Sequence, residues 1–520
     1  MGVDGIAGRS ATLTQSSVQT RPRIWERPVT WLLAAILLAL AVRLPMLGYG
    51  LPHIYYGDER YLVLPALRIA QTGDLNPQRL DYGSLFIYLL AGIDWGAAHV
   101  GILPPLQDIP LVPYAATYYP LPAVFLVGRY LSLAFSLLAV LGVFVLARLI
   151  FDKRVAVLAA ALLAVSPLTV NMARYAAVDA LLQALTIFAL WAIMRVYASA
   201  TWPRALLAGA LVGLAASAKY TGVLLILPLT AAILLSRHRP AGFLPLVGAG
   251  VAAAGSFLLT SPFTVLDYAK FQVFVGVAQS DHLARAVTYV EGPSWRWYLG
   301  TVLSQGDRLF LALGVPGAIL FTLRRPREGA VLMLFPIALF AVMCSGGVRS
   351  PRYLLPILAV LAVFSAWLLT LLMARLPYRR RWAGALAAAV CLTMLLSSTL
   401  LDIRTLSQPD GREVAAQWVR DNAGNTPLIA DDMALADDPS LPKINRVTSV
   451  IDHSAAWYAE RGYLVLGSDF RRLDPNRTTD EEARLSAFDA DPALEMVAHL
   501  PGQMWGVPGY GVRIFRPRSP

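Results

Sequence analysis

Two carboxylates, Asp58 and Glu59, stand side by side in the stretch YYGDERYLVLPALRIAQTGDLNPQRLDYGSL, residues 55–85, directly after the first strongly apolar run. At a membrane surface such a pair is either plain loop solvation or an acid–base centre. In the second case one carboxylate takes a proton from an attacking hydroxyl. More chemistry-bearing residues sit at the ends of later apolar runs: Arg129, Arg174, Asp179, Lys219, Tyr220, Arg349, Arg352 and Tyr353. Arg and Lys neutralise phosphate oxygens with charge-assisted hydrogen bonds. Gathered in one leaflet, these groups suit a substrate with an anionic headgroup and an apolar tail. Displacing a phosphate from the anomeric carbon of a sugar needs a proton acceptor and cations on the leaving group. It requires neither a nucleotide nor a covalent cofactor.

Each residue taken singly also has a plainer reading. An Arg or Lys at a span end anchors the helix against headgroups. Asp179 opens the apolar run DALLQALTIFALWAIM, where the helix dipole favours an acid, so capping competes evenly with function. His53 and His282 are unclustered, and no HExxH-type spacing occurs. A divalent ion on Asp58 and Asp179 stays open, with no ligand motif to indicate one. Cys344 and Cys391 both lie in apolar runs, which argues against a disulfide framework or a thiolate metal site.

The elements that must position these residues are read from composition. Of 520 residues, 57% are hydrophobic and 15% charged, against about 25% charged in soluble chains. This is a polytopic membrane protein. Spans are expected near 29–49, 129–149, 155–172, 179–198, 204–219, 220–236, 242–260, 306–323, 329–345, 353–373 and 383–401, about eleven in all. The loops ARLIFDKR, TWPR, SRHRP, LRRPRE and ARLPYRRRW fall on one side with the N-terminus. YYGDE, RYAAVD, AKYTG, the 261–300 loop and SGGVRSPRY fall on the other. The positive-inside rule makes the first set cytoplasmic. Residues 1–28, with Arg9, Arg21, Arg23 and Arg27, read as a disordered cytoplasmic lead, and no cleavage site follows the first span. SLFIYLLAGIDWGAAHVGIL (84–103) carries Asp94 and His99; making it a span would export Arg379, Arg380 and Arg381, so it reads as interfacial or shallowly re-entrant within an external first loop, 50–128.

The charge balance divides the chain. The net charge is +11, yet residues 402–520 hold 13 basic and 18 acidic residues, leaving 31 and 15 in the membrane part. An acidic tail without a basic, aromatic-interleaved stripe excludes nucleic acid as a partner. In the tail, REVAAQWVRDNAG (412–424) has helical spacing and a glycine stop, and TPLIADD, GYLVLGS, LEMVAHL and YGVRIFRP read as strands. The expected arrangement is a membrane domain, 29–401, followed by a small extracytoplasmic α/β domain, 402–520, without a nucleotide fingerprint.

Several of these stretches carry a family resemblance. YYGDERY after the first span resembles the Asp-Glu motif of the protein O-mannosyltransferases. The run from VGRYLSLAFSLL to NMARYAAVDALLQAL resembles their second to fourth spans, and GLAASAKYTGVLLILPL and RYLLPILAVLAVFSAWLL resemble two further signatures. The resemblance covers roughly residues 30–375 and extends to the aminoarabinose transferases and the GT-C class. It implies inverting transfer of a monosaccharide from a polyprenyl-phosphate sugar to a hydroxyl of a glycan, lipid or protein. It also implies Asp58 as general base with Glu59 structural or assisting, and Arg174 and Asp179 as a second-loop or acceptor site. Arg129, Lys219, Tyr220, Arg352 and Tyr353 are then the carrier-phosphate neighbours. No β-trefoil insert is present, so a protein acceptor is not implied. The alternative is a transporter or flippase of a lipid-linked or anionic substrate. Against it stand the absence of an inverted repeat and charges gathered at one surface instead of the midplane. A scaffold displaying a binding domain would need only one or two spans.

Overall fold

The computed structural model describes residues 28–114, 118–236, 238, 244–277, 293–304, 306–346, 348–377, 381–431, 433–436, 439–469, 479–504, 507–508 and 511–518. The expected N-terminal lead, His282, Arg379 and Arg380 lie outside them, as does the side chain of Arg381.

Sustained apolar runs make long helices, and Pro326–Ser345 runs on through an interior proline, Pro336. Among the described residues, six helices are long and apolar enough to cross a membrane: Pro28–Met46, Ala123–Ile150, Val178–Ala198, Pro326–Ser345, Pro351–Ala374 and Trp382–Leu406. Five shorter apolar helices accompany them: Leu85–His99, Trp202–Ala218, Tyr220–Leu234, Leu244–Thr260 and Phe310–Arg324. In chain order the helices are α1 (Pro28–Arg43), α2 (Gly57–Thr72), α3 (Leu85–His99), α4 (Ala123–Ile150), α5 (Lys153–Ala164), α6 (Pro167–Met172), α7 (Val178–Ala198), α8 (Trp202–Ala218), α9 (Ile226–Leu234) and α10 (Leu244–Thr260). Then follow α11 (Phe263–Leu266), α12 (268–277), α13 (Ser294–Ser304), α14 (Val315–Arg324), α15 (Pro326–Ser345), α16 (Leu355–Ala374) and α17 (Arg381–Leu406). The 261–300 loop is therefore largely helical where it is described.

The segment expected as one span at 155–172 is instead two helices. Pro167 cannot continue α5, since it lacks the N–H and restricts Ser166 to extended backbone. The break is capped from elsewhere: Asp307, fully buried, accepts from Ser166 Oγ at 2.7 Å and from the Leu168 N–H at 2.9 Å. The segment 84–103 yields α3, whose 15 residues fall below the about 17 that a crossing needs. Its Leu90 and Phe86 pack into the first-loop core with Leu62, Val63 and Phe125.

Burial orders the bundle. The spanning window of α7 is 78% buried and that of the helix containing α16 is 67% buried, whereas α17 is 17% buried and lies at the edge. Small residues permit the closest contacts: a Cβ on Gly213 of α8 would lie 2.1 Å from the Ala253 carbonyl of α10. Arg43, 1% exposed, ties α1 to α4 and α5 by donating to Ser136 Oγ, Ala39 O and Ala164 O at 2.9, 2.9 and 2.7 Å. α17 continues beyond its apolar run because Leu406 buries against Val42, Met46 and Val170.

After α17, helix α18 (Gly411–Asn422) leads into a five-stranded sheet. Its strands are β1 (Leu428–Asp431), β2 (Ile444–Val447), β3 (Leu464–Ser468), β4 (Leu494–Leu500) and β7 (Val512–Pro517), in the order β2-β1-β3-β7-β4. β1 runs parallel to β2 and β3, and β7 antiparallel to β3 and β4. A short pair, β5 (Gln503–Met504) and β6 (Val507–Pro508), stands apart. Alternate strand residues feed two cores: Leu428, Ala430, Leu464 and Leu466 pack with α18, and Ile429, Val465 and Phe515 pack with Tyr458, Leu485 and Phe488. All four expected strands are present. β2 is additional; its sequence INRV holds two polar residues and is only half-buried at the sheet edge, so it lacks the apolar run that marked the others.

Candidate active site

Successive residues on a helix point about 100° apart. At the start of α2 this separates the two neighbouring carboxylates. Glu59, fully buried, faces α4, where Arg129 meets it bidentately: Nε to Oε1 at 2.8 Å and Nη2 to Oε2 at 2.9 Å. The Ala176 N–H donates to Glu59 Oε1 at 2.9 Å, and Arg129 Nη1 donates to the carbonyls of Leu47 and Tyr49. This closed knot joins α2, α4, the α1 exit and the turn before α7.

Asp58 faces the other way, with its side chain 28% exposed. Its Oδ2 accepts from Tyr82 Oη at 3.0 Å and from Arg352 Nη1 at 2.6 Å. Arg352 also donates to Tyr56 Oη, and its Nε lies 3.8 Å from Asp179 Oδ2. Asp179 Oδ1 accepts from Lys219 Nζ at 2.7 Å. The sequence Asp58–Arg352–Asp179–Lys219 is thus a chain of alternating charges. Asp179 Oδ2 and Arg352 Nε have no hydrogen-bond partner among the described residues, although both are buried.

Local structure explains each placement. Asp179 occupies the first turn of α7, where the dipole favours its charge. Lys219 follows α8 in extended backbone, with its ammonium 4.2 Å over the Tyr353 ring. Arg352 sits in the 3₁₀ turn Pro351–Leu354 that opens α16. Tyr82 is held because Tyr220 Oη donates to the carbonyls of Leu80 and Tyr82 at 2.9 and 3.0 Å. Beside it, Gly83 leaves no room for a side chain, since a Cβ would lie 2.1 Å from the Ser217 carbonyl.

The electrostatics follow from this arrangement. Burial works to raise the pKa of Asp58, but Arg352, the Tyr82 hydroxyl and Lys219 outweigh it, and the carboxyl stands below its ordinary value. Desolvation holds the hydroxyls of Tyr56 and Tyr82 protonated, well above the usual phenol range. Arg352 supplies between Asp58 and Asp179 the positive charge that a metal ion would bring. Among the described residues no group of three or more His, Cys, Asp or Glu is arranged to hold a metal.

Of the residues singled out from sequence, Asp58, Asp179, Lys219 and Arg352 come together, with Tyr220 and Tyr353 as their supports. The others do not join them. Glu59, expected as structural or assisting, and Arg129, expected at the carrier phosphate, are committed to each other and to backbone. Arg174 is separated from Asp179's partners: its guanidinium lies 4.6 Å over the Tyr49 ring and 4.6 Å over that of Tyr175, to whose hydroxyl it donates. Arg349 donates to Ser294 Oγ at 3.1 Å. His53 is buried between Tyr55 and Tyr118. Tyr56 and Tyr82 belong to this charged cluster and were missed by sequence reasoning. Tyr56 stood within the quoted YYGDERY, whereas nothing local marks Tyr82, which arrives from 24 residues away.

Comparisons with known proteins bear on the fold. Residues 123–265 match the model of a family described as dolichyl-phosphate-mannose-protein mannosyltransferase. The matched part runs from α4 to α11 and includes Asp179 and Lys219 but neither Asp58 nor Arg352. The crystal structure of ArnT from Cupriavidus metallidurans, bound to undecaprenyl phosphate, superposes with a TM-score of 0.51 at 15% identity, covering 93% of this chain and 98% of that one. The fold is that of the GT-C glycosyltransferases. The GT-C likeness takes in both the helical part and the C-terminal sheet domain. The Archaeoglobus fulgidus oligosaccharyltransferase, crystallised with a tethered acceptor peptide, gives a TM-score of 0.48 at 14% identity over 78% of this chain. The chain spans about three fifths of that protein's length. No curated protein matches by sequence.

Proposed function

We propose that this protein is a membrane glycosyltransferase that moves a monosaccharide from a polyprenyl-phosphate carrier to an acceptor hydroxyl, with inversion, on the extracytoplasmic face. The observation that carries the reading is the Asp58–Arg352–Asp179–Lys219 chain, in which the one partly exposed carboxylate, Asp58, pairs with Arg352, and buried Asp179 holds both Arg352 and Lys219. The family-model match and the polyprenyl phosphate bound by the fold relative from Cupriavidus agree with it.

In this reading the acceptor oxygen attacks the anomeric carbon as the bond from that carbon to the phosphate oxygen breaks. The electron pair of the broken bond leaves with the phosphate, which gains a negative charge. Arg352 and Lys219 stabilise that charge, and Asp58 takes the acceptor proton. Asp179 holds both cations in place beforehand, so that little reorganisation is left to the reaction. The first loop, 50–128, and the C-terminal domain share the outer face, and the basic loops remain cytoplasmic.

The test is transfer from a set of radiolabelled polyprenyl-phosphate sugars by the purified protein. Asp58→Asn is expected to lower turnover by about 10²–10⁴-fold while retaining the carrier lipid in native mass spectrometry. Near-normal turnover in Asp58→Asn would remove the base assignment. Absence of transfer from every donor, with only bulk phospholipid retained, would remove the function.

A further inference from the structure

A line of contacts leaves the charged cluster and ends in the C-terminal domain. Arg352 donates to Tyr56 Oη, and the Tyr56 ring stacks on Tyr175 at 4.2 Å between centroids, 19° from parallel. Tyr175 accepts from Arg174, whose guanidinium also covers the Tyr49 ring. Tyr49 Oη donates to Asp410 Oδ2 at 2.9 Å. Asp410 caps α18 and is held bidentately by Arg412, Nε to Oδ1 and Nη2 to Oδ2, both at 2.8 Å. Arg412 in turn lies 3.5 Å over the ring of Tyr55, whose hydroxyl donates to Glu413 Oε1 at 3.2 Å.

Tyr49, Tyr55 and Tyr56 belong to the exit of α1, Tyr175 to the turn before α7, and Asp410, Arg412 and Glu413 to α18. The guanidiniums of Arg174 and Arg412 are flat, weakly hydrated cations suited to lying against rings. Both are nearly fully buried, so neither can shift into water without disrupting its neighbours. We propose that Arg412 of the C-terminal domain is a positioning residue for the reaction centre: through Tyr55, Tyr49, Arg174, Tyr175 and Tyr56 it fixes Arg352 on Asp58. The chemical consequence rests on the function proposed above, but the contact itself is measurable without it. An Arg412 that served only to attach the domain would leave the surroundings of Asp58 unchanged. One that positions Arg352 would change them.

The measurement is carbodiimide labelling of Asp58 against pH, read by peptide mass spectrometry on the full-length protein in detergent. Carbodiimide modifies the protonated carboxyl, so the midpoint reports the charges facing Asp58: Arg352, Tyr82, Tyr56 and, behind Asp179, Lys219. Asp74, paired with Arg68 at the far end of α2, is the internal control. In Arg412→Gln the Asp58 midpoint is expected to rise by at least about one pH unit, as a carboxylate does when a cation within a few ångströms withdraws, with Asp74 unmoved. Tyr55→Leu, which removes the face under Arg412, should give the same rise, and Tyr55→Phe should not. If Arg412→Gln fails to fold, the two Tyr55 variants decide. An unmoved Asp58 midpoint in Arg412→Gln or Tyr55→Leu that melts as the wild type does overturns the proposal. Transfer assays run in parallel separate the two readings. A wild type without transfer removes the function while the midpoint still tests the line of contacts. A transferring wild type with an unmoved midpoint removes only the role of Arg412.

Discussion

Asp58 and Glu59 differ in accessibility, and their substitutions should fail differently. Glu59→Gln leaves Arg129 as an uncompensated charge at 1% exposure, so it should cost about 3–5 kcal/mol of stability. A Glu59→Leu/Arg129→Met double variant should recover much of that loss, and thermal unfolding of the four forms in one detergent measures the coupling. Equal destabilisation by the double and the single variants would contradict the pairing. Asp58→Asn should instead lower the melting temperature at neutral pH far less than Glu59→Gln does, and remove activity. Because the folded pKa of Asp58 is depressed, the stability it lends is present in full above about pH 4, its unfolded value. That stability is lost as pH falls through the lower folded value. The melting difference between the wild type and Asp58→Asn should therefore shrink below about pH 4, and a constant gap would oppose the assignment. Lys219→Met should weaken retention of polyprenyl phosphate by about 10–100-fold, the loss of one charge-assisted bond.

Elements carry those residues into contact, and here sequence reading reached partway. Apolar runs located most of the helices and four strands of the C-terminal sheet. The division of 153–172 into α5 and α6 was written locally in Ser166–Pro167, but its cap comes from Asp307, far along the chain. The site was legible as a set of residue types at one set of span ends. Which of them meet was not, because a bidentate Glu59–Arg129 pair and an Asp179–Lys219 pair are both consistent with the same string of charges. Only the packing of α2 against α4, and of α8 against α10, selects between the arrangements. That packing is itself testable. Gly213→Val should separate α8 from α10, displace Lys219 at the end of α8, and lower both the melting temperature and carrier-lipid retention; if retention is unchanged in the folded variant, the approach of these helices does not position Lys219.

For the whole molecule, the distribution of charge and the docking of the C-terminal domain on the α1 exit make one arrangement of the chain across a membrane. The sheet domain follows α17 directly, and its α18 end touches Tyr49 and Tyr55, just ahead of Asp58 in the chain. A periplasm-active reporter fused after Pro520 should be functional and a cytoplasm-active one silent; the reverse result would invert the membrane orientation proposed here. The separation of the two carboxylates on α2 has one more consequence, concerning spacing. The buried face of α2 from Leu62 to Ile69 fixes the rotation of everything ahead of it. One residue inserted after Glu59 would therefore turn Glu59 into the slot of Asp58 and leave the newcomer facing Arg129. Substitutions at this dipeptide grade the function or the stability, whereas a change of length alters both at once. The phase of the helix, more than the identity of either acid, is what keeps the locking carboxylate and the working one apart.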